Sequence, residues 1–313
     1  MLQYLVILLD DTSIAYCHAI NPLTHVNLIP LDLLRQAITF GMKHNLMIQY
    51  VLPQYQLPDE YYKLMDSIDN VKIGHDVMVY NCIPKSVASE TTVLCVSIDE
   101  FIDNVYLVAN ILRQTKRLSV NYTDIDKFSD NIISKYKNSL QVIVDTIIDE
   151  LSNGKKHEIN IVTDRLNLSN MSNCNAGINN ITIAPNGKFY LCPAFYYDEK
   201  QGLDTGVNYR LCHSDRSVGN LLTGVEIRNR QLLTLDKSPL CQGCDAYHCN
   251  RCVWLNQKMT YEINTPSHEQ CILSHIERNA TKILSDTMRD MGLETQIIDE
   301  ISYLDPFDKL LNC

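Results

Sequence analysis

Short apolar runs alternate with stretches of helical spacing along the first half of the chain. The runs at residues 4–9, 46–52, 77–80, 92–97, 118–122 and 158–163 are rich in Val, Ile and Leu. Some are apolar on both faces, which predicts strands covered by helices on at least one side. Between them, residues 31–44, 58–68, 99–115 and 124–151 carry apolar positions at helical intervals. In the last, Ile125, Phe128, Ile132, Tyr136, Leu140, Ile143, Ile147 and Leu151 form one core-facing stripe. Ser97 or Asp99 and Thr123 or Asp124 are candidate caps, and Gly154 is placed to end the long helix. This α/β alternation predicts parallel strands joined by right-handed crossovers, in a doubly wound sheet or a partial barrel. Six strands are too few for a closed eight-stranded barrel, so an open half-barrel fits the count.

The pattern changes after the polar stretch LNLSNMSN at 166–173. ITIAPNGKFYLC, residues 181–192, predicts two short strands around an Asn186-Gly187 turn, a pair that readily takes the positive backbone angles of a tight hairpin. From there to about residue 271 the chain is loop-rich, and residues 267–291 return to helical spacing before Gly292. The expected organisation is an α/β half-barrel over 1–165, a small cysteine-rich domain over 174–275 and a C-terminal helical segment over 276–313.

Charge and composition narrow the class. The 313 residues are 45% hydrophobic and carry a net charge of −10, which supports a packed core and argues against nucleic acid or acidic membranes as partners. The opening run MLQYLVILLDDTS has no basic flank, and Asp10 and Asp11 end it too early for a signal peptide or a membrane span. The same aspartates argue against reading SIAYC, residues 13–17, as a lipoprotein cleavage box. The expected location is the cytoplasm.

In that reducing setting, twelve cysteines point to metal or redox chemistry rather than disulfides. Cys17, Cys82 and Cys95 precede residue 174, and the other nine run from Cys174 onward. Four of the nine crowd into CQGCDAYHCNRCVW at 241–254, beside the only tryptophan. A structural zinc site is one reading of the paired CxxC units. However, only four residues separate the pairs, and Cys174, Cys192, Cys241, Cys244, Cys249, Cys252 and Cys271 are too many for one tetrahedral ion. Two iron–sulfur clusters take up to about eight thiolates. Cys82, Cys95 and Cys313 are expected to have no special role, and Trp254 and Tyr247 either shield sulfur or pack a loop-rich module.

The order of Cys174, APNGKFYLCP, SVGNLLTG at 217–224, CQGCDAYHCNRC and Cys271 resembles the SPASM domain, the C-terminal module of many peptide-modifying radical SAM enzymes. That resemblance implies two auxiliary 4Fe-4S clusters. By position, Cys174, Cys192 and Cys252 would hold the first, and Cys241, Cys244, Cys249 and Cys271 the second. The spacing departs from the family by being tighter after Cys244 and after Cys249. The stretch after Cys174, NAGINNITI, lacks the further cysteine that some members carry. The first cluster would then keep an open iron, or Cys212 would complete it; Cys212 also reads as an ordinary loop thiol.

Radical SAM enzymes bind a third cluster through CxxxCxxC after the first strand. At that spacing this chain offers Ser13, Cys17 and Ile20, one thiol where three are needed, and VLPQYQLPDEYYKLM lacks the family's glycine-rich turn. Both departures argue against S-adenosylmethionine as a cofactor. A radical-SAM-like half without cluster ligands, followed by SPASM-like cysteines, resembles the CXXX repeat peptide maturase family. Membership would imply a part in modifying a Cys-x-x-x repeat ribosomal peptide, with the cysteine-rich precursor as partner and a second modification protein as a further candidate. The alternatives are a non-catalytic scaffold that presents the peptide to a separate enzyme and a structural zinc protein. Asp10, Asp11, Cys17 and His18, with His25 nearby, stand where strand ends of α/β folds expose functional groups. They read either as an activated thiol with its acid–base partners or as loop-capping carboxylates, a packed thiol and surface histidines.

Overall fold

The structure, a computed structural model, describes residues 2–171, 174–202 and 212–311. The first half runs β1 (Tyr4–Leu8), α1 (Leu31–Lys43), β2 (Met47–Val51), α2 (Asp59–Met65), β3 (Asn70–Ile73), β4 (Met78–Tyr80), β5 (Thr91–Val96), α3 (Ile98–Asp103), α4 (Val105–Gln114), β6 (Arg117–Tyr122), α5 (Asp130–Ser152), β7 (Glu158–Ile159) and α6 (Asp164–Asn167). The second half runs β8 (Asn180–Ile183), β9 (Phe189–Tyr190), α7 (Pro193–Gln201), β10 (Gly219–Asn220), β11 (Gly224–Val225), α8 (Pro239–Gln242), α9 (Val253–Thr260), α10 (His268–Asp290) and α11 (Pro306–Leu311). The chain divides into two compact units, each assembled from separated segments. The first comprises Met1–Val79, Cys174–Pro239 and Cys252–Thr265; the second comprises Tyr80–Asn173, Leu240–Arg251 and Pro266–Cys313.

The first unit is built on a five-stranded sheet in the order β3-β2-β1-β8-β9. β1 pairs in parallel with β2 (Tyr4 opposite Met47) and with β8 (Tyr4 opposite Asn180), while β9 returns antiparallel to β8. β1 is the central strand, and Leu5, Ile7 and Leu8 on its two faces are fully buried. The expected hairpin is present, with Gly187 at φ 74° and the Asn186 side chain accepting from the Lys188 N–H at 3.1 Å. Along α1, Leu34, Ala37, Ile38 and Gly41 face inward at helical spacing. At Gly41 a Cβ would stand 2.7 Å from Ile48 Cδ1, so the missing side chain sets how closely α1 lies on β2.

The second unit carries β5, β6 and β7, paired in parallel in that order. α5 buries Tyr136, Leu140, Ile143, Val144 and Ile147 along one stripe, and α4 and α10 pack on it. Strands form within all six expected runs, over two sheets, but the run 158–163 is extended only at Glu158–Ile159 before the chain turns at 160–163. The differences are local. β3 lies just beyond the expected helix 58–68, and its parallel pairing with β2 claims the NVKI segment as a strand. The expected helix 99–115 breaks into α3 and α4 at Asn104, whose side chain bonds the Glu100 carbonyl at 2.9 Å. The expected helix 124–151 begins only at Asp130, because Asp124 instead accepts the Ile98 N–H at 2.9 Å. Ser97 does cap α3, taking the Glu100 N–H at 3.0 Å, and Gly154 follows α5. No helix among the described residues is long and apolar enough to cross a membrane.

A buried polar network threads the second unit. The Tyr136 hydroxyl donates to Glu277 Oε1 at 2.6 Å and lies 3.0 Å from the Tyr122 hydroxyl, while His248 Nε2 stands 3.1 Å from Glu277 Oε2. Burial and the Glu277 charge hold both phenols far above their ordinary pKa. Replacing Tyr136 with Phe strips a donor from a buried carboxylate, so Tyr136→Phe is expected to cost about 1–3 kcal/mol in urea unfolding. Tyr106→Ala, at a position 77% exposed, should stay within about 0.5 kcal/mol of the parent.

Candidate metal centre

In the second unit, α8 carries Cys241, the loop that follows carries Cys244 and Cys249, and Cys271 sits in the first turn of α10. Ser267 caps that helix by accepting the Gln270 N–H at 3.2 Å. Two side-chain contacts pin the loop to α10. Arg278, wholly buried, grips Asp245 with Nε at 2.9 Å and Nη2 at 2.6 Å, and His248 meets Glu277. Arg165 adds a third hold, with Nη2 at 3.4 Å from Asp245 and its guanidinium 4.3 Å above the Tyr247 ring. Tyr247 therefore packs under a cation.

The sulfurs of this loop are met by donors. The Ala246 N–H points at Cys244 Sγ (3.4 Å), the Arg251 N–H at Cys249 Sγ (3.5 Å) and the Gln270 amide at Cys249 Sγ (3.8 Å). His275 Nε2 stands 3.5 Å from Cys244 Sγ. The Cys271 thiol lies in the field of Cys249, Cys241 and Cys244, and burial, the larger influence, pushes it far above its ordinary pKa. Burial likewise lifts Cys241 to about 12 and Cys244 to about 11.

In the first unit, Cys174 leads into β8, Cys192 is the residue before α7, Cys252 the residue before α9, and Cys17 lies in the long loop after β1. The thiols that act electrostatically on Cys192 are Cys17, Cys252 and Cys174; those that act on Cys252 are Cys174 and Cys17. Burial is again the larger influence. It holds Cys192 and Cys252 well above the usual range and lifts Cys17 to about 11, the reverse of what an activated nucleophile requires. Cys174 is exposed and Cys252 buried. Trp254 is a brace here, its indole N–H reaching Asp198 of α7 at 2.8 Å.

Asp10 and Asp11 are buried and occupied. Asp10 Oδ1 accepts the Thr12 N–H and Oδ2 the Asn27 N–H, both at 2.8 Å. Asp11 is bonded by the Tyr196 hydroxyl and lies 3.4 Å from Lys200 Nζ, both on α7. His18 is half-buried and His25 exposed. Ser13 Oγ accepts the Asp10 N–H and donates to the Val51 carbonyl, each at 3.0 Å, and Ile20 is 62% exposed. Cys82 is exposed, Cys95 is buried in β5, and Cys313 lies outside the described residues. The charges that act on the buried Cys212 are those of Arg216, Asp215 and Arg228.

Among the described residues no three His, Cys, Asp or Glu side chains stand close enough to hold one metal ion. A single zinc would draw its thiolates to about 3.8 Å from one another, given a Zn–S bond of about 2.3 Å and tetrahedral geometry. A four-iron cube holds its ligand sulfurs farther apart, each on a separate corner. By its chemistry the donor set, soft thiols with N–H donors at Cys244 and Cys249, suits an iron–sulfur cluster.

No family model matches the chain, and no curated protein matches it. Among solved structures it is similar to polyhistidine-tagged anSMEcpe with bound AdoMet, with a TM-score of 0.52 and 11% identity over 92% of this chain and 96% of that one. Native anSMEcpe with bound AdoMet gives a TM-score of 0.51 and 11% identity over 91% and 100%. Both are structures of a radical SAM enzyme with a SPASM domain. The chain has a radical-SAM-like fold. In such a fold, the mixed α/β units with parallel sheets need no sequence identity to persist.

Raised thiol pKa values carry a sign. A group whose pKa is higher folded than unfolded adds stability that is present below the unfolded value and lost as pH rises through the folded one. The metal-free protein should therefore lose thermal stability progressively from about pH 9 to about pH 12, read by calorimetry, as Cys17, Cys241 and Cys244 are forced to ionise. Metal-loaded protein, whose thiols have already given up their protons, should lack this decline.

Proposed function

We propose that this chain is an iron–sulfur protein of the reducing cytoplasm that takes part in maturing a Cys-x-x-x repeat ribosomal peptide, in the manner of the CXXX repeat peptide maturases. What carries the reading is the sorting of seven cysteines within a radical-SAM-like fold. Cys174, Cys192 and Cys252 fall in one unit, and Cys241, Cys244, Cys249 and Cys271 in the other. Cys174, Cys192 and Cys252 would hold a first 4Fe-4S cluster and the other four a second. When bound, such clusters supply electron transfer and a polarising iron.

The chain's own residues set the surroundings. The Ala246, Arg251 and Gln270 donors at the second group favour thiolate over thiol. The Arg278–Asp245 and His248–Glu277 contacts fix the loop that presents Cys244 and Cys249. The loop after β1 offers no second or third thiol for S-adenosylmethionine chemistry: Ser13 is committed to a buried turn, and Ile20 faces solvent.

One observation favours a scaffold that presents the peptide to a separate modification protein. The carboxylates at the end of β1, where a barrel of this class would act, are spent on internal hydrogen bonds. Incubating the isolated protein with a synthetic Cys-x-x-x repeat peptide separates the readings. A change in peptide mass without a partner supports the maturase, and binding without change supports the scaffold.

Anaerobic reconstitution should load about eight irons and eight sulfides per chain, and Cys271→Ser should lower both by about half. Elemental analysis returning a single zinc and no iron would overturn the iron–sulfur assignment.

A further inference from the structure

A groove in the first unit is formed without any of the cysteines. One wall is the outer face of α1, whose inward residues Leu34, Ala37, Ile38 and Gly41 leave Arg35, Phe40 and Lys43 on the groove side. The opposite wall is the turn between β10 and β11, with Leu221 and Leu222. The two walls are joined through the β8–β9 turn. Gly187 lies so close to α1 that a Cβ there would stand 3.1 Å from Leu33 Cδ1, and its carbonyl accepts the Leu221 N–H at 3.2 Å. The Phe40 ring, 4.8 Å from that of Phe189 on β9, puts an apolar surface between the walls. The space they enclose is about 500 Å³.

The charge of the groove runs against that of the chain. The sequence holds 37 Asp and Glu against 27 Lys and Arg, yet none of the described residues lining the groove is a carboxylate, and Arg35, Lys43 and His44 all line it. Arg35 gives Nη1 to Asp32 of its own helix at 2.9 Å, an exposed pair that leaves the other guanidinium N–H groups to a ligand. Lys43 has no ion-pair partner among the described residues. Leu222 is 92% exposed, but it is not loose. Asn220 Oδ1 accepts the Leu222 N–H at 2.8 Å and the Thr223 N–H at 3.0 Å, so a fixed turn holds this apolar side chain in water. Arg35 and Lys43 are eight residues apart on α1, which is about 12 Å along a helix. An extended peptide turns the same face every second residue at about 3.3 Å per residue. Carboxylates four residues apart therefore span about 13 Å, with the residue midway between them on the same face.

We infer that this groove docks an extended acidic peptide segment in which two carboxylates flank one apolar side chain, in the order acidic-x-apolar-x-acidic. The carboxylates meet Arg35 and Lys43, and the apolar side chain packs between Phe40 and Leu222. Complementary charge steers the segment in and fixes its register, and the apolar contact separates a peptide from a simple anion. The inference rests on the peptide reading of this chain for the identity of the carrier, since the segment then belongs to the peptide that the protein handles. The groove uses no cysteine, so recognition of that peptide is separable from whatever the thiols hold.

The test uses the full chain and fluorescein-labelled synthetic peptides, read by fluorescence anisotropy. The parent probe carries two copies of Glu-Ser-Leu-Ser-Glu; one counterpart has Gln for every Glu and another has Ala for every Leu. The parent should bind, and its affinity should fall between about 0.01 M and about 1 M salt as the screening length shortens from about 30 Å to about 3 Å. Losing one exposed ion pair costs up to about fivefold, so Lys43→Glu, which adds a repulsion, should weaken binding by about tenfold. Leu222→Ala and the Ala counterpart should each weaken it by about fivefold. Lys137→Glu, at an exposed position of α5 in the other unit, should bind as the wild type does and controls for net charge. Positions 43, 137 and 222 are all exposed, and circular dichroism checks that each variant is folded. A parent probe that does not bind overturns the inference, as does binding weakened equally by Lys137→Glu and Lys43→Glu. Binding indifferent to Leu in both probe and groove also overturns it, marking a plain anion surface. A Cys-x-x-x repeat peptide is run alongside. Its modification by a protein that leaves the probe unbound sinks the groove and spares the peptide reading. A bound probe with the repeat peptide neither bound nor modified sinks that reading and spares the groove.

Discussion

The parallel pairing of β8 on β1 is the contact on which the first unit depends. It brings a strand that starts at Asn180 against one that starts at Tyr4, and the hairpin continues the sheet through β9. Neither β1 nor β8 could leave its backbone groups unpaired among the buried side chains of Leu5, Ile7, Ile181 and Ile183. The pairing therefore fixes where two cysteine-bearing segments enter and leave the sheet. Cys174 precedes β8, and Cys192 follows β9 by one intervening residue.

The second unit reaches a similar end by different means. Its cysteine loop has almost no regular structure, and its shape comes from charged side chains on one helix. Arg278 and Glu277 are adjacent on α10, and each takes a different residue of the loop, Asp245 and His248. A buried guanidinium needs a carboxylate to offset its desolvation, so these contacts are demanded by burial as much as by the loop. The same helix contributes Cys271 and His275 on the side that faces the sulfurs. Loop and helix thus form one cradle, and the Tyr136–Glu277 network connects it to α5.

Thiols held neutral by burial sit in the metal-free protein as small apolar side chains, and a metal that bound them would displace their protons. Deprotonation is disfavoured until a cation replaces the proton, at which point the surrounding N–H donors favour the thiolate. Burial is the common physical basis of the raised thiol pKa values in both units. Trp254 and Tyr247 are held in their loops by Asp198 and Arg165.

Much of the architecture was legible in the residues. Strand–helix alternation, the Asn186-Gly187 hairpin, the α5 stripe and the capping of α3 by Ser97 follow from local periodicity and short-range hydrogen bonding, which a linear pattern records. The helix boundaries at Asn104 and Asp130 were not, because side chains there bond to backbone groups outside the simple helical pattern. At the site, the CxxC spacing announced a cluster of thiols, but nothing near Cys17 placed it in the same unit as Cys192 and Cys252. The carboxylates Asp10 and Asp11 looked available for chemistry, and their partners Asn27, Tyr196 and Lys200 are distant in sequence. What the sequence by itself determined is the set of elements and the inventory of thiols, since both depend on residues close along the chain. Which thiols fall in the same unit was decided only by tertiary structure, because sheet pairing and helix packing join distant segments, and no local pattern encodes that meeting.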